Sequence, residues 1–407
     1  MTYTVLAIFG IVYVGMIVGG LPLLQLDRTG VALLGAIALV AVRDLTPEQA
    51  AQSIHLPTLL LLFSFMVISA QMRLGGFYAW VTRSIAALPV GPHALLAAVI
   101  AVVAALSAVF SNDVVCLAVA PVLADACLRR GLDPVPFLLA LACAANIGSA
   151  ATLIGNPQNM LIGSVLKLPF GGYFLEAIVP VVLGLALLWA LLAWQTRGRW
   201  QALQSGSVVT APREADDTPL DRWQTAKGLA VAATLILVFL FTDLPRDVAA
   251  LTGAGLLLMS RRLHSTATLG LVDWELLILF IGLFVVNHAL DQTGVTQRAI
   301  EWLAAQDVPL SDPAPLFAAA LLLSNVPAVM LLLPAATEPY AGPLLALVST
   351  FAGNLLIVGS IANLIVVDAA RRRGLAIDWR RHLRTGLPVT AATLALTAAW
   401  FAWRGGA

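Results

Sequence analysis

The sequence predicts an all-α polytopic membrane protein: two inverted repeats of five transmembrane helices, each with a re-entrant hairpin and a broken helix. Three observations carry this. Of 407 residues, 60% are hydrophobic and 11% charged, against roughly 25% charged residues in soluble chains. Polar islands interrupt the longest apolar runs, at Ser111-Asn112-Asp113 and at Gly155-Asn156-Pro157-Gln158-Asn159. Both interruptions return in the second half, as Ser324-Asn325-Val326 and as Gly359-Ser360-Ile361-Ala362-Asn363.

A bilayer core about 30 Å thick takes about 20 apolar residues per helix. The N-terminal run has no basic flank before it, so it reads as an uncleaved first span rather than a signal peptide. Spans are expected at 3–24, 29–42 and 56–72, followed by an interfacial helix at 77–88 with two charges among apolar residues. Residues 94–128 are too long for one span and break at Ser-Asn-Asp, which predicts a hairpin entering and leaving by one face. A span at 134–165, broken at GNPQN, and another at 173–195 complete a first repeat over 1–196. The polar stretch 197–226 reads as a linker. The second repeat, 227–407, follows the same order: spans at 227–242, 247–260 and 274–290, an interfacial stretch at 295–305, a hairpin at 314–337, a broken span at 342–367 and a last span at 386–402. Five crossings per half is an odd number, so the copies must be inverted. On that topology eighteen of the 23 Lys and Arg residues fall on one face. The positive-inside bias then makes the linker cytoplasmic and puts both termini outside a cytoplasmic (inner) membrane.

A helix buried in hydrocarbon satisfies its own backbone, so Gly, Pro and amide side chains at mid-depth imply backbone opening onto a cavity. Repeated interruptions in corresponding positions are the sequence pointer to a transport site. Half-helix N-termini there attract anions, and C-terminal carbonyls coordinate Na⁺. The candidate set is Ser107, Ser111, Asn112, Asp113, Gly155, Asn156, Gln158 and Asn159, mirrored by Ser324, Asn325, Gly359, Ser360 and Asn363. Na⁺ is expected at Ser111, Asn112 and Asn325; the alternative is that these residues only cap broken helices. Asp113 is the carboxylate placed at mid-depth, where a charge costs roughly 2.5 to 3.5 kcal/mol, which implies a role in ion coupling or substrate contact. Its counterpart is Val326. Asn146, Ser149, Thr152 and Asn354 are secondary candidates for facing the cavity, and His288 with Asp291 reads as a wet pair near a helix end. The three cysteines, Cys116, Cys127 and Cys143, lie in apolar surroundings and read as packing thiols. The sequence shows no P-loop, no metal-ligand cluster and no nucleophile triad. The expectation is therefore no enzyme and no cofactor beyond a coupling ion. The basic residues cluster between apolar runs and form no nucleic-acid face, which leaves a small solute or ion and the lipid bilayer as partners.

The hairpin Ser-Asn-Asp, the run NIGSAATLIGNPQN and the second-half SNVP and GSIANLI together resemble the ion transporter superfamily. That superfamily includes divalent-anion/sodium symporters, citrate carriers, arsenite permeases and a class of sodium/proton antiporters. The resemblance covers nearly the whole chain and is nearest to a bacterial branch of anion transporters related to the arsenite permeases. It implies an elevator-type carrier, usually a homodimer, whose hairpins and broken spans move against a scaffold. In the dicarboxylate symporters each hairpin tip reads Ser-Asn-Thr and serves sodium and the substrate carboxylate. Ser111-Asn112 and Ser324-Asn325 match, whereas Asp113 and Val326 depart from that pattern, toward the arsenite-permease and antiporter branches. The expectation is a secondary active transporter of a small anion, or of a metalloid hydroxide such as arsenite, coupled to H⁺ or Na⁺. The alternatives are an Na⁺/H⁺ antiporter using Asp113, or an uncoupled channel-like or scaffolding membrane protein.

Overall fold

Short polar residues and prolines ahead of the apolar runs set the helix starts. Asp27, Asp133, Asp221 and Asp273 each accept a hydrogen bond from a backbone N–H of the following first turn, which satisfies donors that have no partner inside the helix. Proline stands at the start of four more helices, where its missing N–H costs nothing. The computed structural model describes residues 2–21, 24–201, 219–310, 312–323 and 326–405. Its first half runs α1 (Thr2–Val18), α2 (Arg28–Ala41), α3 (Pro47–Gln52), α4 (Leu56–Leu74), α5 (Phe77–Ala86), α6 (Pro92–Val109), α7 (Asn112–Arg129), α8 (Pro134–Ser149), α9 (Pro157–Val165) and α10 (Phe170–Gln195). The second half repeats the order: α11 (Arg222–Phe241), α12 (Arg246–Leu258), α13 (Ser265–Leu269), α14 (Trp274–Gln292), α15 (Val295–Ala305), α16 (Pro313–Leu323), α17 (Val326–Leu332), α18 (Ala341–Ala352), α19 (Ile361–Arg371) and α20 (Trp379–Gly405). Among the described residues, α4, α6, α10, α11, α14 and α20 are long and apolar enough to cross a membrane.

Several boundaries differ from the sequence reading for local reasons. The first helix stops at Val18, because Gly19 takes φ +95° and a pair of two-residue antiparallel strands, β1 (Gly20–Leu21) and β2 (Leu26–Asp27), makes the turn into α2. Helix α11 starts inside the stretch assigned to the linker, capped by Asp221. The two hairpins differ in their returning arms. Helix α7 continues through Pro121, whereas α17 ends at Leu332 and Pro334 falls in a short 3₁₀ turn.

The halves interlock. Helix α2 packs on α14 and α4 on α12, and α10 lies along α20. Small residues allow the closest approaches: a side-chain carbon on Gly282 would meet the backbone of Ala32 at 2.7 Å, and one on Gly148 would meet the Ala104 Cα at 2.3 Å. A second group packs α6 and α7 against α8, α7 also against α19, and α16 and α9 against α18. A buried ion pair crosses between the halves. Arg373, just past α19, donates from Nε and a terminal nitrogen to the two carboxylate oxygens of Asp125 on α7, at 2.7 and 3.1 Å. Asp125 is 4% exposed, so removing its partner leaves a buried charge uncompensated, a cost of about 3 kcal/mol. Arg373→Ala should therefore lower the thermal unfolding midpoint in detergent, and the double replacement Asp125→Leu/Arg373→Leu should recover much of the loss. An unchanged midpoint in Arg373→Ala would show that the pair contributes nothing.

Candidate substrate cavity

The first hairpin tip is seated on the break between α8 and α9. Past Val109 the backbone extends through Phe110 and Ser111 and turns helical again at Asn112. The Asn112 N–H donates to the Gly155 carbonyl at 3.1 Å, and the Thr152 hydroxyl donates to the Ala108 carbonyl at 2.5 Å. This closeness requires glycine at 155: a Cβ there would lie 2.2 Å from the Ser149 carbonyl oxygen and 2.7 Å from that of Ser107.

Each break is held by an asparagine after the restart. The Asn159 side-chain amide donates to the carbonyls of Thr152 at 2.9 Å and Ser149 at 3.5 Å, and to the Tyr173 hydroxyl oxygen. The Asn363 amide donates to Leu356 at 3.0 Å and Gly353 at 2.9 Å. In both breaks the accepting carbonyls lie seven and ten residues upstream. Asn156 caps α9 and Ser360 caps α19. The oxygens and caps then exchange partners between halves. Asn146 on α8 donates to the Asn363 oxygen at 3.2 Å and accepts from Ser360 at 2.9 Å. Thr350 on α18 donates to the Asn159 oxygen at 3.5 Å and accepts from Asn156 at 3.3 Å. Asn146 also donates to Asn354 and accepts from Asn112, at 2.9 and 3.2 Å.

In front of this network lies a cavity of about 270 Å³. Asn112 and Asp113 from the first tip, Pro157 and Gln158 from the first break, Val326 and Pro327 from the second hairpin, and Gly359 and Ser360 from the second break all line it. The N-termini of α7, α9, α17 and α19 therefore face one space, whose positive dipole ends favour negative charge. Tyr13 and Arg28 also line it; the Tyr13 hydroxyl lies 2.8 Å from the Asn287 side-chain oxygen and 3.0 Å from the Pro327 carbonyl. Two side-chain oxygens at the first tip, Ser107 Oγ and Asn112 Oδ1, are buried without a hydrogen-bond partner among the described residues. Neutral oxygens of this kind are a donor type that suits Na⁺.

Of the residues expected from sequence, Asn112, Asp113, Gln158, Gly359 and Ser360 line the cavity. Ser107, Ser111, Asn156, Asn159 and Asn363 are buried in the layer behind it, with Gly155 at the contact between tip and break. Ser324 and Asn325, with the Na⁺ ligand expected at Asn325, lie outside the described residues. Asn146, Ser149, Thr152 and Asn354 belong to the network rather than the cavity lining. His288 pairs with Gln292. Tyr13 and Arg28 were not expected; an arginine ahead of an apolar run carries the same local pattern as a topology signal.

Apolar helices, two of them broken, that gather their interruptions around one cavity define a membrane transporter. The chain belongs to the citrate transporter family, whose model matches residues 5–352, within the ion transporter superfamily. It is 30% identical to an uncharacterized transporter of Mycobacterium tuberculosis over 96% of this chain and 97% of that protein. It is likewise 30% identical to a silicon efflux transporter of Oryza sativa subsp. japonica, over 95% of each. A transporter of Dictyostelium discoideum named arsB is 24% identical over 90% of this chain and 86% of its own length. The fold is that of the YdaH transporter of Alcanivorax borkumensis, with a TM-score of 0.59 at 14% identity, covering 99% of this chain and 98% of that one.

Gly155→Ala should abolish activity, because the added carbon meets backbone on two sides and must separate the hairpin tip from the break. Gly255→Ala, where a Cβ meets nothing within 4 Å, should be neutral. Transport and thermal unfolding of both variants check this; equal activity in the two would show that the tip contact is dispensable.

Proposed function

We propose that the protein is a secondary active transporter that moves a small anion, or a metalloid hydroxide such as arsenite, across the cytoplasmic membrane, driven by H⁺ or Na⁺. The observation that carries this reading is the cavity on which both hairpins and both helix breaks converge. Helix N-termini and amide side chains there bind oxygen-rich solutes. Ser107, Ser111, Asn112 and the Gly155 carbonyl region would hold a co-transported Na⁺, with Asn325, Gly359 and Asn363 as the corresponding set. Asp113 is the ionisable partner for a coupling proton: neutral when protonated, it lets an anion approach; ionised, it repels one. The names of the silicon efflux and arsB relatives support a metalloid or oxyanion among the candidates.

The partner exchange between halves is what a two-fold axis relating inverted repeats, 1–196 and 227–407 joined by the 197–226 linker, would produce. We read the hairpins and broken helices as a body that slides past a scaffold containing α1, α2, α4, α11, α12 and α14, in a homodimer with both termini outside and the linker cytoplasmic. A second reading is Na⁺/H⁺ antiport, favoured by the carboxylate of Asp113 in the cavity wall.

Proteoliposomes with an imposed pH or Na⁺ gradient, offered arsenite, silicic acid, sulfate, phosphate, succinate and citrate, separate these. Gradient-dependent, saturable uptake of one solute is expected, and Asp113→Asn should remove its dependence on the pH gradient while leaving the protein folded. Proton flux driven by Na⁺ with no solute would make it an antiporter. Unchanged pH dependence in Asp113→Asn would end the coupling role.

A further inference from the structure

Arg28 is the basic residue among those lining the cavity. It opens α2; its Nε donates to the Met16 carbonyl at 3.2 Å and a terminal nitrogen donates to the Val358 carbonyl at 2.9 Å. Both acceptors are neutral, and no carboxylate among the described residues forms an ion pair with it. The rest of the guanidinium fork has no partner among the described residues. A half-buried cation with only neutral partners is incompletely compensated, and a planar guanidinium matches two oxygens of one anion better than it matches separate carbonyls.

The second half supplies an internal control. Arg246 opens α12 as Arg28 opens α2, and donates to the Gly163 and Leu168 carbonyls at 2.9 and 2.8 Å, at the end of α9. It does not line the cavity. Capping a helix end accounts for Arg246 entirely. It accounts for the Met16 contact of Arg28, near the end of α1, but not for a fork turned toward the cavity and holding a carbonyl of the second break.

We propose that Arg28 recognises the transported substrate as an anion, an oxyanion or carboxylate with at least two acceptor oxygens, by giving up its bond to Val358 in favour of that anion. The inference rests on the carrier reading and narrows it to anionic substrates. Charge in the cavity then links substrate to proton. With Asp113 ionised the two lining charges cancel; with Asp113 protonated the cavity is net positive and suits a monoanion. Asp113 shares the cavity lining with Arg28 from α2 and Tyr13 from α1; Asp273 at the head of α14 acts on it electrostatically, as does Cys116 on its own helix, with Cys143 on α8 beside that thiol. Anion affinity should therefore rise as pH falls, and Asp113→Asn should flatten that dependence.

The test uses the purified full-length protein and measures binding of sulfate, phosphate and citrate by calorimetry, in wild type, Arg28→Gln, Arg28→Lys and Arg246→Gln. Arg28→Gln should weaken anion binding by at least about tenfold and Arg28→Lys by less, as loss of the charge and loss of the fork predict. Arg246→Gln should lower the unfolding midpoint without changing affinity. Should Arg28→Gln fail to fold, modification of wild-type Arg28 by phenylglyoxal, mapped by peptide mass spectrometry, should be slowed by the bound anion. Wild-type affinity in Arg28→Gln, or modification indifferent to anion, overturns the proposal. Gradient-driven uptake of neutral arsenite by a wild type that binds no anion also overturns it and leaves the carrier reading intact. Arg28-dependent anion binding without gradient-driven uptake of any solute keeps the proposal and removes the carrier reading.

Discussion

The centre of the molecule depends on satisfying the backbone of two helices that stop and restart inside an apolar interior. With no water at hand, each unpaired carbonyl or N–H there costs several kcal/mol. Asn159 and Asn363 meet that demand by returning an amide to the carbonyls at the end of the helix they follow. Their own oxygens are then taken by Thr350 and Asn146, each from the other half. Neither break is complete within its own half. The halves must assemble for either to be stable, and the cavity in front of them inherits walls fixed from both sides.

Much of this was legible in the sequence because glycine, proline and asparagine in the middle of an apolar run mark where a helix in hydrocarbon stops and restarts. The helix breaks before Pro157 and Ile361 and the interruption ahead of Asn112 fall at such residues. What sequence did not resolve was the direction in which side chains point. Every residue of α8 is buried, so periodicity distinguishes no face of it, and Asn146 and Ser149 could not be separated from cavity-lining residues. Tyr13 sits in a helix apolar on all sides, and Arg28 is identified only by its contact with Val358, a residue 330 positions away.

The same comparison of halves shows where their chemistry diverges. Two positions at the breaks are kept: Asn159 and Asn363 make matching contacts, and Gly155 and Gly359 both accommodate close backbone, with a Cβ meeting a carbonyl oxygen at 2.2 and 2.9 Å. The charged and polar positions that face the cavity diverge. Asp113 stands in the first turn of α7 where Val326 opens α17, Gln158 stands where the second half has Ala362, and Arg28 reaches the cavity while Arg246 caps a helix end.

That distribution follows from what each layer must do. The asparagine after each break answers to backbone hydrogen bonding, which is the same problem in both halves. The front layer answers to a solute that has no two-fold symmetry of its own with respect to the protein, so matched walls would waste half their groups on the wrong end of it. A single carboxylate and a single guanidinium on one cavity also give a defined charge change per proton bound. Two of each, as strict repetition would supply, would pair with one another and leave nothing for a ligand to neutralise.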